Sequence, residues 1–421
     1  MRYWSFLFGF LSYSLAAQSW LPSGLPGDAL NLQRVWSNAT EDTIYCAGAV
    51  KIDTAQWFTN NPVLRYTNGQ WDTLGAFNNI IWTFAHFQDT LFVGGDFTTV
   101  EGMPVDKMAC FANGSWHPCG SFSNRVRTLK VLGGELYAVG AFVVADGDTC
   151  FGIARRSSGQ WIPVGDLQPA SFSTLNDVEL FNGNIIISGA IRVLPGNRLA
   201  QFDGTTWSSV GQGVVGTLSG PLCLNSFQGS LYIGGQIRTS EGNAGENVMR
   251  WDGSAFHPIG DGIRQVLGTS STATVTSLVE HDGLLYAGGG YFFVDSMPAN
   301  GLATWDGTQW CVLPGDLMTE ANGIWSMAFY QDSLFVATIG DTLGGQFINK
   351  AAKSAGILSS DTCGTPVGVY ETSHGNWGAV PYPNPCTDYL TIPHTPRVGW
   401  FTLTDVWGRE LELIEVQDAS D

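Results

Sequence analysis

One phrase of seven residues recurs along the chain: LFVGGDF at 91–97, LYAVGAF at 136–142, LYIGGQI at 231–237 and LYAGGGY at 285–291. Weaker copies are IYCAGAV at 44–50, IIISGAI at 185–191 and LFVATIG at 334–340. Seven copies spaced by about 45 to 54 residues restrict the fold more than any bulk property does. Each copy belongs to one supersecondary unit that cannot bury its apolar face alone and must stack on its neighbours. A dipeptide suited to a tight hairpin precedes every copy: Glu41-Asp42, Gln88-Asp89, Gly133-Gly134, Asn182-Gly183, Gln228-Gly229, Asp282-Gly283 and Gln331-Asp332. Upstream of it lies a run with strand character, such as IIWTFAH or TVTSLVE, so each unit begins with two antiparallel strands.

The second half of each unit is set by aromatics five positions apart: Tyr66 to Trp71, Phe111 to Trp116, Phe202 to Trp207, Trp251 to Phe256 and Trp305 to Trp310, with Arg156 to Trp161 keeping the same step. Between them glycine takes one of two places. Asn68-Gly69, Asn113-Gly114 and Ser158-Gly159 suit a type I′ turn; Gly204-Thr205, Gly253-Ser254 and Gly307-Thr308 suit type II′. Both turns keep one register, in which the outer residues stand directly across the ladder and stabilise it by roughly 0.2 to 1 kcal/mol per pair. An apolar residue and glycine then close the unit, as in Leu74-Gly75, Val164-Gly165, Val210-Gly211 and Ile259-Gly260.

Four antiparallel strands per unit and seven units predict an all-β chain folded as a seven-bladed β-propeller. The seventh unit lacks its closing Trp strand and runs FINKAAKSAGILSS instead. Its counterpart stands at the other end, where Gln18-Ser19-Trp20-Leu21-Pro22 matches Gln309-Trp310-Cys311-Val312-Leu313. The N-terminal strand is therefore expected to complete the last blade and close the ring. Trp20, Trp71, Trp116, Trp161, Trp207, Phe256 and Trp310 are the structural repeat positions. A glycine pair ending one strand, followed by an aromatic and a Trp on the next hairpin, resembles a kelch-type propeller repeat. Residues 18–356 are also similar to the degenerate propeller repeats of exported bacterial surface proteins and of the fungal cortical cell-polarity marker. That resemblance implies the fold and leaves the function open.

The two ends point to export. MRYWSFLFGFLSYSLAAQSW has a basic start, an apolar run and small residues before Gln18, which predicts a signal peptide over residues 1–17. Nothing downstream supplies the roughly 20 apolar residues of a transmembrane anchor. Residues 357–378 lack periodicity and read as a linker, and residues 379–421 read as a separate unit, for which the following resemblance implies a partial β-sandwich-like fold. There, Tyr382-Pro383-Asn384-Pro385 and the turn from Asp405 to Gly408 resemble the C-terminal sorting domain of the type IX secretion system of Bacteroidota. The resemblance implies passage through that machinery to the outer cell surface or the medium. Such domains usually continue through further strands, whereas this sequence stops at Asp421.

The chain holds 421 residues, of which 13 % are charged, and its formal charge of −18 repels nucleic acid and anionic membranes alike. Eight cysteines allow 105 complete pairings, and none is assigned. Cys46 and Cys119 stand where other repeats carry Val93 and Leu74, the places of small buried hydrophobes. No CxxC or Cys/His spacing indicates zinc. Of the histidines, His117 and His257 hold the same place after the closing aromatic and follow the repeat; His86 and His281 lie in first strands, one place out of register. Asp203 and Asp306 precede turns similar to the sialidase Asp-box but lack its spacing. Loops between second and third strands carry Glu101, Asp146, Glu241 and Asp295, either as calcium ligands or as acids that fit a turn. The run Tyr291-Phe292-Phe293 is more aromatic than its counterparts and is the loop candidate for a ligand platform, with buried packing as the alternative. No catalytic set stands out from the repeat, and no cofactor is expected. The expectation is a non-catalytic surface propeller that binds a glycan or a protein; an extracellular carbohydrate-active hydrolase or lyase and a passive structural protein are the alternatives.

Overall fold

The computed structural model describes residues 20–51, 61–216, 220–266, 273–299, 301–313, 323–343, 346–354, 399–404 and 410–416. The signal peptide, the linker and the sorting residues Tyr382, Pro383, Asn384, Pro385, Asp405 and Gly408 lie outside them. Strands dominate, and one short 3-10 turn at Thr239–Glu241 is the only helical element among the described residues. Seven antiparallel sheets follow one another along the chain, six of four strands and one of six. Their first strands are Asp28–Ser37, Ile81–Phe87, Val126–Leu132, Ser171–Phe181, Gly220–Phe227, Thr274–His281 and Ile324–Tyr330. The first sheet reaches six strands by adding the hairpin of Thr99–Val100 and Met103–Pro104 to its edge.

The last sheet is completed from the far end of the chain. Trp20–Pro22 pairs antiparallel with Ala351–Ser354, placing Trp20 opposite Ser354 and Pro22 opposite Ala352. First strands of consecutive sheets lie against one another, and the seventh also lies against the first. Side chains bridge them to backbone: Leu129 N donates to Thr83 Oγ1 at 2.8 Å, Thr128 Oγ1 to Asn176 O at 2.8 Å, Asn176 Nδ2 to Pro221 O at 2.8 Å, and Ser326 Oγ to Val35 O at 2.8 Å. Apolar side chains fill the spaces between sheets. Tyr66, from the first, packs with Phe335 of the seventh; Trp305 and Trp310, from the sixth, pack with Tyr232 of the fifth.

The repeated glycine has a steric cause. Every first strand skips a residue at the same place in the ladder: Gln33, Trp82, Arg127, Asn176, Leu222, Thr276 and Trp325; the first and fourth also skip Leu30 and Ser173. Such a bulge bends the strand and brings its backbone over the neighbour. A Cβ on Gly48, Gly95, Gly140 or Gly235 would meet the carbonyl oxygen of Asn31, Ile80, Arg125 or Gly220, in or just before the first strand, at 2.2, 2.2, 2.1 and 2.1 Å respectively. The seventh phrase carries Thr338 there, opposite Ile324.

The hairpins follow the spacing, with one exception. Phe111 pairs with Trp116, Phe202 with Trp207, Trp251 with Phe256 and Trp305 with Trp310, as the five-residue step requires. Asn68, Asn113 and Ser158 and the glycines after them all have positive φ, the type I′ requirement. In the other set only the glycine does, and an Asp carboxylate completes the turn: Asp203 Oδ1 accepts from the backbone N–H of Thr205 at 2.8 Å and of Thr206 at 2.7 Å. The exception is Glu41-Asp42, which is not a two-residue turn. Ser37 pairs with Ile44, and Asn38 Oδ1 holds the longer loop by accepting from Asp42 N and Thr43 N, each at 3.1 Å. In the tail, Gly399–Thr404 and Glu410–Val416 pair antiparallel on either side of the Asp405 to Gly408 stretch.

Candidate functional site

The closing aromatics act between sheets as well as within them. Trp116 Nε1 donates to Leu74 O at 2.8 Å, Trp161 Nε1 to Cys119 O at 2.8 Å and Trp207 Nε1 to Val164 O at 2.7 Å. Each acceptor is the carbonyl just before the glycine that ends the preceding unit. Trp71 does the same to Ser23 O at 3.0 Å, so the N-terminal segment occupies the place that Leu74 or Cys119 takes elsewhere. Trp305 and Trp310 are 6 % and 4 % exposed with ring centroids 5.3 Å apart, which leaves no face free for a sugar.

The loop acids converge on the same segments. Glu101 accepts from Ala76 N; Asp146 accepts from Ser121 N and Trp161 N, both at 2.8 Å; Asp295 accepts from Asp261 N at 2.7 Å. A Cβ on Gly216 would strike Glu241 Oε2, so that acid also lies against the preceding unit, five residues past its closing Gly211. The four acids therefore sit in four separate turns and each lies against the preceding unit, so they do not form one cluster. Tyr291 departs from the ligand-platform expectation: it is 3 % exposed and its hydroxyl donates to Ala287 O at 2.6 Å, because its ring fills the core between the fifth and sixth sheets. Phe292 and Phe293 are half-buried beside it.

The polar groups that do converge stand on the facing first strands, and the sequence reading singled out none of them. Lys130, from the third sheet, places Nζ 3.0 Å from Asp177 and 3.1 Å from Glu179 of the fourth, and donates to Leu224 O of the fifth at 3.1 Å. Burial alone would lower the lysine's pKa; the two carboxylates more than offset it and hold it above its ordinary value. Asp177 Oδ2 also accepts from Leu224 N at 2.8 Å. Arg34 of the first sheet feels the charge of Asp177, and Arg127 of the third feels that of Arg34, so the cluster spans strands far apart in sequence. Burial, followed by the Arg34 and Arg125 charges, pushes the Arg127 pKa down to about 10, still charged at neutral pH. Arg125 is neutralised by Asp96, 2.8 Å away, and both Arg125 and Arg127 lie over the Trp82 ring, at 4.8 and 5.5 Å. A signal was present: Arg34, Lys130, Asp177 and Glu179 all stand at the skipped position of their first strand plus one or three.

Elsewhere, His281, Asp282 and Asp332 group at two hairpin tips with ligand atoms within 4.8 Å of one another. The His281 ring stacks on Phe329 at 3.7 Å, and its Nδ1 lies 3.3 Å from Glu41. A cleft of about 420 Å³ is lined by Phe172, Arg192, Asn197 and Arg198, apart from the charged cluster. The described cysteines 46, 110, 119, 150 and 223 are free and buried, and Cys311 is disulfide-bonded. Burial pushes the Cys46 and Cys223 thiols far up, which makes them inert hydrophobes. No described helix is long and apolar enough to cross a membrane.

No family model matches the chain, and no curated protein matches it. Among solved structures it is similar to the extracellular domain of a hybrid two-component system from B. thetaiotaomicron, at 13 % identity and a TM-score of 0.50. That match takes in 85 % of this chain but 45 % of the other, so the chain spans under half the length of this relative. It is also similar to the computationally designed protein Ika8, at 10 % identity and a TM-score of 0.41, over 79 % of this chain and all of that one. At such identities the first likeness concerns the fold alone.

Proposed function

We propose that the chain is an exported, kelch-like, seven-bladed β-propeller that binds a glycan or protein partner without transforming it. The ring is supported by the succession of contacts from the first to the seventh first strand and back to the first, by the completion of the last sheet by Trp20–Pro22, and by the Trp71 bond to Ser23. In this reading residues 18–356 form the ring and its first strands line the axis. The observation that carries the binding function is the convergence of Arg34, Arg127, Lys130, Asp177 and Glu179 on that axis, where propellers offer a concave, partly desolvated mouth. Both carboxylates are engaged by one lysine, an arrangement that suits holding a ligand better than general acid–base work.

Incubating the purified protein with a panel of polysaccharides tests this: binding without product is expected. Product release would instead make Asp177 and Glu179 the catalytic pair of a carbohydrate-active hydrolase or lyase, and binding to nothing in a glycan and protein panel would reduce the chain to a passive structural role. The apolar N-terminus and the Tyr382-Pro383-Asn384-Pro385 tail support export through a type IX system to the outer surface or the medium. Fusion of residues 378–421 to a periplasmic reporter carries it outside the cell in this reading, and retention in the periplasm counts against it.

A further inference from the structure

In a chain with a formal charge of −18, the facing first strands bring three cations, Arg34, Arg127 and Lys130, together with two carboxylates, Asp177 and Glu179. Lys130 is neutralised by Asp177 and Glu179. Arg34 and Arg127 both feel the charge of Asp177, but that carboxylate is bonded to Lys130, and among the described residues neither guanidinium makes a hydrogen bond or an ion pair; Arg127 only lies over the Trp82 ring, 5.5 Å from its centroid. Burial pushes both arginine pKa values down, that of Arg127 to about 10, which leaves it charged at neutral pH. Two like charges held close together in a desolvated place destabilise the empty fold, and an anion between them relieves that cost.

Two further groups at the axis lack partners. Gln33 Oε1, next to Arg34, and Asn225 Oδ1, one residue beyond the Leu224 carbonyl that Lys130 reaches, are buried with no hydrogen-bond donor. An unsatisfied acceptor costs about 1 to 3 kcal/mol, and a hydroxyl meets the need. Trp325, 41 % exposed, occupies in the seventh sheet the skipped position that Gln33 holds in the first and Arg127 in the third. The equivalent position thus presents an indole in the seventh sheet, an amide in the first, a second indole, Trp82, in the second and a guanidinium in the third.

We infer that the axial cluster is a binding site for an acidic sugar, whose carboxylate lies between Arg34 and Arg127 while its hydroxyls meet Gln33 and Asn225 and its ring faces Trp325. A guanidinium matches a carboxylate with two parallel hydrogen bonds, and the orphaned acceptors select a ligand that also carries donors. Inorganic anions satisfy only the first need. A neutral sugar satisfies only the second. The inference rests on the propeller reading, which places these strands around one axis, and it narrows the proposed partner to one chemical class.

Isothermal titration calorimetry of the full chain with sodium glucuronate tests it, beside methyl glucoside and inorganic sulfate. Saturable glucuronate binding is expected, weakening with salt, with no saturable heat from the neutral sugar and no displacement by equimolar sulfate. Arg34→Gln and Arg127→Gln should each weaken binding at least tenfold; Arg34→Lys, which keeps the charge and loses the fork, should fall between. Thermal melts identify any variant that has lost its fold, and Gln33→Leu, a charge-neutral change, then supplies a second reading through weaker binding. A glucuronate oligomer that binds tighter than the monomer assigns the source to a polysaccharide, and equal affinity assigns it to a free sugar acid. No glucuronate heat, equal displacement by sulfate, or unchanged binding in folded arginine variants overturns the inference. If those variants still bind a polysaccharide as the parent does, the acidic-sugar site falls and the wider binding function stands; glucuronate binding with no bound polysaccharide gives the reverse.

Discussion

A single closing aromatic illustrates how much work one residue does in this chain. Trp161 is fully buried, stands across from Arg156 and donates to the carbonyl of Cys119, which Arg156 Nη1 also reaches at 2.8 Å. Trp161→Phe keeps the ring and removes the indole N–H, and urea unfolding should show a loss of about 1 kcal/mol. Trp161→Ala also leaves a cavity and should cost about 3 to 5 kcal/mol; equal stabilities for the parent and Trp161→Phe would show that the bond between sheets contributes nothing. The pairing with Arg156 was legible from the five-residue step. The bond to Cys119 was not, because its partner lies 42 residues earlier in another unit, although the recurring apolar-glycine closure was its trace. Gly75 and Gly120 are glycines because a Cβ there would meet the next unit's indole at 2.4 and 2.5 Å.

Among elements, the hairpins divide into turns closed by backbone alone and turns that an Asp carboxylate completes. Backbone N–H groups of Thr206 and Thr205 hold the Asp203 carboxyl below its usual range, and those of Ala255 and Ser254, with the His257 ring, do so for Asp252. At Asp306 burial opposes the shift, and bonds from Gln309 and Thr308 outweigh it. A carboxyl with a depressed folded pKa contributes stability above its unfolded value, near 3.9, and loses it as pH falls through the folded one. Melting temperature should therefore fall as pH drops below about 4. In Asp252→Asn, which keeps the acceptor and loses the titration, that acid limb should flatten; an identical limb in the variant would remove the turn from the account. The dipeptides located these turns well except at Glu41-Asp42, where Asn38 organises a longer loop through its side chain, a preference that a two-residue pattern does not register.

For the molecule as a whole, deleting residues 18–25 should lower the melting temperature of the entire described β-region in one cooperative transition. That deletion opens the last sheet and removes the Ser23 acceptor of Trp71 together. An unchanged melt would refute the closure, and Trp20→Ala should reproduce part of the loss, since Trp20 is 6 % exposed and packs with Leu313 and Ile324. By itself the sequence determined the seven units, their strand order, the cross-strand pairs and the partnership of the two ends, because each follows from spacing along one chain and from rules local to a hairpin. The loop acids were legible as turn residues for the same reason. What only the tertiary structure decided is which side chains meet across units: the bulges that demand the glycines, the indole bonds to the preceding unit, the burial of Tyr291, and the company kept by Arg34, Arg127, Lys130, Asp177 and Glu179. Those contacts depend on how seven sheets are stacked and turned relative to one another. A register slip of one residue sends a side chain to the opposite face, and spacing within a unit says nothing about which strand of another unit it will find there.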